Sequence, residues 1–132
     1  MPKRPADKMP TGAELKILRV LWEHGALTVR EVFDHLRQHE DIGHTTVLKL
    51  MQIMTEKGLL KRDASQRPQV FRAARPQQQT QKQLLGQLLD RAFDGSPGSL
   101  VLQALSLRRS TPEELGEIRR LIDELEDTED AQ

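Results

Sequence analysis

His44, Thr45, Thr46, Lys49 and Gln52 fall within one short stretch of the chain. If that stretch is helical, Val47, Leu50, Met51 and Met54 take one face, and these five residues and Leu48 stay outside. Thr, Lys and Gln can meet base edges or thymine methyls in a major groove, and they lie near the helix N-terminus, the end that docks deepest. Further on, Lys61, Arg62, Arg67 and Arg72 lie on or beside two short β-like runs. Cations placed there can approach phosphates and set register without reading sequence. A polar helix surface beside a solvated hairpin has the same residue types, so the order of the elements must decide between the two.

That order begins at Thr11-Gly12-Ala13-Glu14, a hydroxyl followed three residues later by Glu, the capping-box pattern of a helix start. Leu15, Leu18, Leu21 and Trp22 follow at helical spacing, and Gly25 ends this first helix. Trp22 continues the stripe and is expected to be buried against the next two helices. Ala26 and Leu27 form a short extended link. Thr28-Val29-Arg30-Glu31 is a second capping box, opening a helix with the stripe Val29, Val32, Phe33 and Leu36. A polar loop, His39 to Gly43, precedes the third helix, which starts near His44 or Thr45 and ends at Lys57 and Gly58. Two extended runs come next, Leu59 to Arg62 and Val70 to Ala73, with polar turn residues between them: a hairpin. Three short helices and a hairpin are the order of a winged helix-turn-helix, whose second motif helix enters the major groove.

The composition then changes. Pro76 to Gln79 reads as a polar linker. Leu84, Leu85, Leu88, Leu89, Ala92 and Phe93 form an apolar stripe that Asp94 to Gly98 stops. Ser99 to Leu107 is a short apolar helix. Thr111-Pro112-Glu113-Glu114 caps a last helix with the stripe Leu115, Ile118, Leu121, Ile122 and Leu125, and the acidic run from Glu126 is expected to fray. Leu-rich helices in about 55 residues cannot readily bury their stripes alone. Pairing with a second copy would cover them and produce a two-fold dimer matched to a palindrome. Leu85, Leu88, Leu89, Leu102, Leu105, Ile118 and Leu121 are the expected interface residues; folding back onto the first three helices is the alternative. The expected fold class is therefore mostly α with a small β-hairpin wing (α+β): a winged helix-turn-helix plus a C-terminal helical dimerisation region. The expected organisation is a basic arm at 1–10, a winged helix at 11–75, a dimerisation region at 76–126 and an acidic tail at 127–132.

Charge follows the same division. The 132 residues carry no net charge. Met1 to Arg75 nevertheless holds 14 Lys and Arg against 9 Asp and Glu, and Pro76 to Gln132 holds 6 against 11. A basic half beside an acidic half suggests that one half meets a polyanion. The absence of cysteine excludes disulfides and thiolate metal sites and fits a reducing cytoplasm. No apolar run approaches the roughly 20 residues of a membrane span, and the basic start has no apolar stretch after it, so no secretory signal is expected.

Taken together, several stretches resemble one family. Thr11-Gly12-Ala13-Glu14-Leu15-Lys16-Ile17-Leu18 through Leu21-Trp22, and Thr28-Val29-Arg30-Glu31-Val32, look like the opening of the penicillinase-repressor (BlaI/MecI-type) family. His44-Thr45-Thr46-Val47, Glu56-Lys57-Gly58-Leu59-Leu60 and Val70-Phe71 resemble its recognition helix and wing. Phe93-Asp94-Gly95-Ser96 before Ser99-Leu100-Val101-Leu102 resembles its dimerisation region. The resemblance spans roughly residues 10 to 126. It implies a dimeric winged-helix repressor of transcription on a palindromic double-stranded DNA operator, with Thr45, Thr46 and Lys49 among the readers. It also implies a membrane-bound sensor protease whose signal leads to cleavage after the Leu-Val-Leu stretch. The family's usual Asn-Phe bond is replaced here by Gln103-Ala104, a departure from the pattern. A copper-responsive branch depends on cysteines, which this chain lacks.

Other chemistry finds little support. His35 and His39 stand four apart and could hold Zn²⁺, but without the Glu of the metalloprotease motif, and no metal or cofactor is expected. There is no Gly-rich phosphate loop, nucleophile elbow or paired-carboxylate site, so no enzyme is expected. Two further readings stay open: a sensor with an effector pocket at the dimer interface, and a winged helix that binds protein instead of DNA.

Overall fold

The computed structural model describes residues 9–130. The expected basic arm lies outside the described residues except for Met9 and Pro10, as do the last two residues of the tail. Among the described residues six helices and three strands run in the order α1 (Gly12–His24), β1 (Leu27–Thr28), α2 (Val29–Leu36), α3 (His44–Lys57), β2 (Leu60–Asp63), β3 (Val70–Ala73), α4 (Gln77–Ala92), α5 (Pro97–Leu107) and α6 (Pro112–Asp130). The chain is mostly helical with one small antiparallel sheet, the expected α+β class. It divides into two compact units, Met1–Leu85 and Gly86–Gln132, with the division inside α4.

In the first unit, both capping boxes form. Thr11 accepts from the Glu14 N–H while Glu14 accepts from the Thr11 N–H, and Thr28 and Glu31 exchange the same pair of bonds. Each box satisfies two of the backbone donors that a helix start leaves open. At the other end of α3, Gly58 adopts φ 83°, and the N–H groups of Gly58 and Leu59 return to the carbonyls of Thr55 and Met54. A left-handed residue is needed there, and glycine supplies it without a Cβ clash. This turn delivers the chain directly into β2.

The core is assembled from the three helices and three strands that precede α4. Ile17, Leu18 and Leu21 of α1 meet Val32 and Leu36 of α2, Val47, Met51 and Met54 of α3, and Leu27, Leu59, Leu60 and Phe71 around the sheet. Ile17, absent from the expected stripe, is fully buried. The sheet also exceeds a hairpin. The link at Leu27–Thr28 pairs with β3, Leu27 opposite Phe71, to give the strand order β1-β3-β2.

Three expectations need correction. Trp22 is half-buried, packed at the edge of the core, and its indole N–H donates to the Arg75 carbonyl at 2.9 Å. It therefore fixes the stretch between β3 and α4 in addition to flanking the core. The Gln-rich stretch after Pro76 is the first turn of α4, because glutamine is a good helix former and Thr80 behind it is buried. The acidic end of α6 stays helical to Asp130.

The second unit holds the rest of α4 with α5 and α6. Ser96 caps α5 by accepting from the Ser99 N–H, with Pro97 at the first helical position, so this helix starts two residues before Ser99. Thr111 and Glu114 form a third capping box at the start of α6, and the Thr111 N–H and hydroxyl hold the Glu114 carboxyl below the usual glutamate range. Among the described residues no hydrophobic side chain after Phe71 is buried.

Candidate nucleic-acid interface

The expected readers all lie in α3. His44, Thr45, Thr46, Lys49 and Gln52 are exposed, and Leu48 is half-buried. They are displayed because Val47, Met51 and Met54 turn the opposite face into the core, with Leu50 packed at its edge. Nothing caps the α3 N-terminus with a side chain: Gly43 occupies the cap position. The first backbone N–H groups of α3 therefore have no side-chain acceptor, and the positive end of the helix dipole favours an anion.

Register sorts the cations of the wing. Arg62 pairs with Phe71 and Lys61 with Arg72. Alternation along a strand then puts Arg62 on the face of buried Phe71, and Lys61 and Arg72 together on the other. Arg62 accordingly lines an open cleft between α3 and the wing, together with Thr28, Arg30, His44, Leu48, Gln52 and Pro68. Lys61 and Arg72 are like charges directly opposite one another, an unfavourable pair unless an anion lies nearby. Among the described residues neither has an ion-pair partner. Arg67 sits in the exposed turn, where its guanidinium donates to the Ala64 carbonyl at 3.1 Å.

The turn is organised by Asp63. Its carboxylate accepts from the Ser65 hydroxyl at 2.5 Å, the Ser65 N–H at 3.0 Å and the Gln66 amide at 3.2 Å. The Ser65 hydroxyl, then the Ser65 N–H and the Gln66 amide, hold it below the usual aspartate range.

Sequence reasoning missed a second cationic group. Arg30 and Arg37 lie over the Phe33 ring, 5.5 and 5.3 Å from its centroid, and the ring meets His44 edge-on at 5.5 Å. Asp34 Oδ1 is 3.4 Å from Arg30 Nε and 3.5 Å from Arg37 Nη2. Arg30 occupies the first turn of α2, where its charge opposes the helix dipole. Its presence in Thr-Val-Arg-Glu was visible in the sequence, but the cleft that it lines was not.

Sequence reasoning also missed a buried ion pair. Lys57 Nζ lies 2.8 and 3.0 Å from the two oxygens of Glu14, whose residue is 2% exposed. Glu14 thus closes a capping box and ties the start of α1 to the end of α3. His35 stacks on His24 with ring centroids 4.0 Å apart, and among the described residues no group of three or more His, Asp or Glu could hold a metal ion.

The expected interface residues lie at or near the surface of the single chain. Leu85, Leu88, Leu102, Leu105 and Leu121 are exposed, Leu102 at 70% and Leu121 at 55%, while Leu89 and Ile118 are half-buried. Gln103 and Ala104 are exposed on α5.

An α3 with an outward polar face, a helix crossing before it and a cationic hairpin after it define a winged helix-turn-helix. The profile of the penicillinase repressor family matches residues 10–124, and the chain belongs to that family. A relative from Bacillus licheniformis, named penicillinase repressor, is 23% identical over 112 residues, covering 85% of this chain and 88% of that protein. The family is one of transcriptional repressors, regulators and not catalysts. No helix among the described residues is long and apolar enough to cross a membrane.

Proposed function

We propose that this chain is a sequence-specific, DNA-binding repressor that works as a homodimer on a palindromic operator. α3 enters the major groove, and His44, Thr45, Thr46, Lys49 and Gln52 read or flank base edges. Arg62 and Arg30, both lining the cleft, grip phosphates, Arg67 reaches the backbone from the wing turn, and Lys61 and Arg72 gain the anion that their pairing lacks. The half containing Gln79 to Glu126 forms the two-fold interface.

The observation that carries the dimer is the absence of any buried hydrophobic residue after Phe71 among the described residues, in a region with three leucine-bearing helices. Apolar faces of that extent mark an interaction surface. Covering them with a second copy supplies the missing core. A cut on exposed α5 at Gln103-Ala104, made by a sensor protease, would divide the interface and release the DNA.

Selection from random DNA followed by a gel shift tests the reading. A palindrome should be recovered, with an affinity that falls steeply with salt because phosphate contacts release counterions. Lys49→Ala and Thr46→Ala should each weaken specific binding by about 1–3 kcal/mol. Failure to enrich any sequence would leave a protein-interaction module as the better account. Mass spectrometry of the repressor from induced cells should show a fragment ending near Gln103. Intact protein that has left its operator would point to a ligand instead.

A further inference from the structure

Leu48 is a half-buried apolar side chain on the outward face of α3. It belongs neither to the buried core nor to the hydrophobic residues packed against it. Helical spacing puts His44, Leu48 and Gln52 in one line along α3, and all three border the cleft that Arg30, Arg62 and Pro68 also line. An apolar group is thus set midway between two polar ones, in a groove flanked by cations.

Flanking cations suit a groove bounded by phosphates. Among the groups that base edges present in a major groove, the 5-methyl of thymine is the one apolar projection. We infer that Leu48 reads thymine through this methyl, so that each operator half-site carries a thymine opposite the middle of the cleft. His44 and Gln52 then meet polar edges on either side of it. The inference rests on the DNA reading proposed above and adds a base identity to it. Lys49, one residue on, points along another line of the helix and cannot supply this contact.

The test uses the full-length protein and its selected operator, with each thymine replaced in turn by deoxyuridine, which removes only the methyl. For the unmodified protein, one position per half-site should lose about fourfold in affinity, the cost of uncovering one methyl. Leu48→Ala should bind the thymine operator more weakly and should no longer distinguish thymine from deoxyuridine at that position. Leu48→Met keeps an apolar tip there and should retain the distinction, which separates lost contact from lost folding. A flat deoxyuridine scan with the unmodified protein overturns the inference while leaving operator binding intact. So does a scan that Leu48→Ala leaves unchanged. No salt-dependent binding to any selected sequence would instead overturn the DNA reading itself.

Discussion

Glu14 and Lys57 show how much one side chain can be asked to do. The Glu14 carboxylate accepts the Thr11 N–H and two contacts from Lys57, and it is almost wholly removed from water. Removing it leaves an ammonium against the core without a partner and the Thr11 N–H without its acceptor, while the Thr11 hydroxyl still caps the helix. Lys57 keeps some access to water, its side chain being 21% exposed, so the loss falls below that of a fully enclosed pair. Glu14→Ala should therefore cost about 2–3 kcal/mol in urea unfolding, and Glu14→Gln less, since its amide oxygen can still accept from Thr11. Equal costs for the two would show that the charge contributes nothing. Trp22→Phe keeps the ring against the core but removes the donor to Arg75, and should cost about 1 kcal/mol. An unchanged unfolding midpoint would mean that water replaces the indole there.

Among elements, the wing turn carries a pH dependence that can be signed. The Asp63 carboxyl is held below its ordinary range chiefly by the Ser65 hydroxyl. A carboxylate depressed in the folded state stabilises the turn above its unfolded value and loses that effect as pH falls through the folded one. Titration of the Asp63 carboxyl by NMR should give a midpoint below that of an unstructured aspartate, and Ser65→Ala should move it back up. A midpoint unaffected by Ser65→Ala would mean that another group holds the charge. What the sequence disclosed here follows from range. Capping boxes, the Gly58 stop and the two hairpin runs depend on neighbours a few residues away, and so they were legible. β1 exists only because two residues reach β3, some forty positions on, and Glu14 finds Lys57 at a similar distance. No local pattern announces either. The exposed polar face of α3 was legible from its periodicity, but the cleft holding Arg30 and Leu48 appears only once the wing is in place.

For the whole molecule, the decisive quantity is the state of association. Leu88→Glu and Leu121→Glu replace exposed apolar groups, so a monomer would tolerate both. If a second copy covers them, each buries an unpaired charge, and sedimentation should show a shift from dimer to monomer. Operator affinity should fall on the order of 10²–10⁴-fold with it, because two tethered readers make the second binding event intramolecular. Dimers persisting in both variants would place the interface elsewhere. The molecule also carries its own optical reporter. The sequence has one tryptophan and no tyrosine, so emission excited at wavelengths beyond the phenylalanine absorption comes from Trp22 alone. That indole is hydrogen-bonded to Arg75, on the peptide segment through which the sheet continues into α4. Its colour and quenching therefore follow strain at this joint without any attached dye. A repressor that slackens there on induction would announce it as a red shift, while α3 and the wing remain spectroscopically silent.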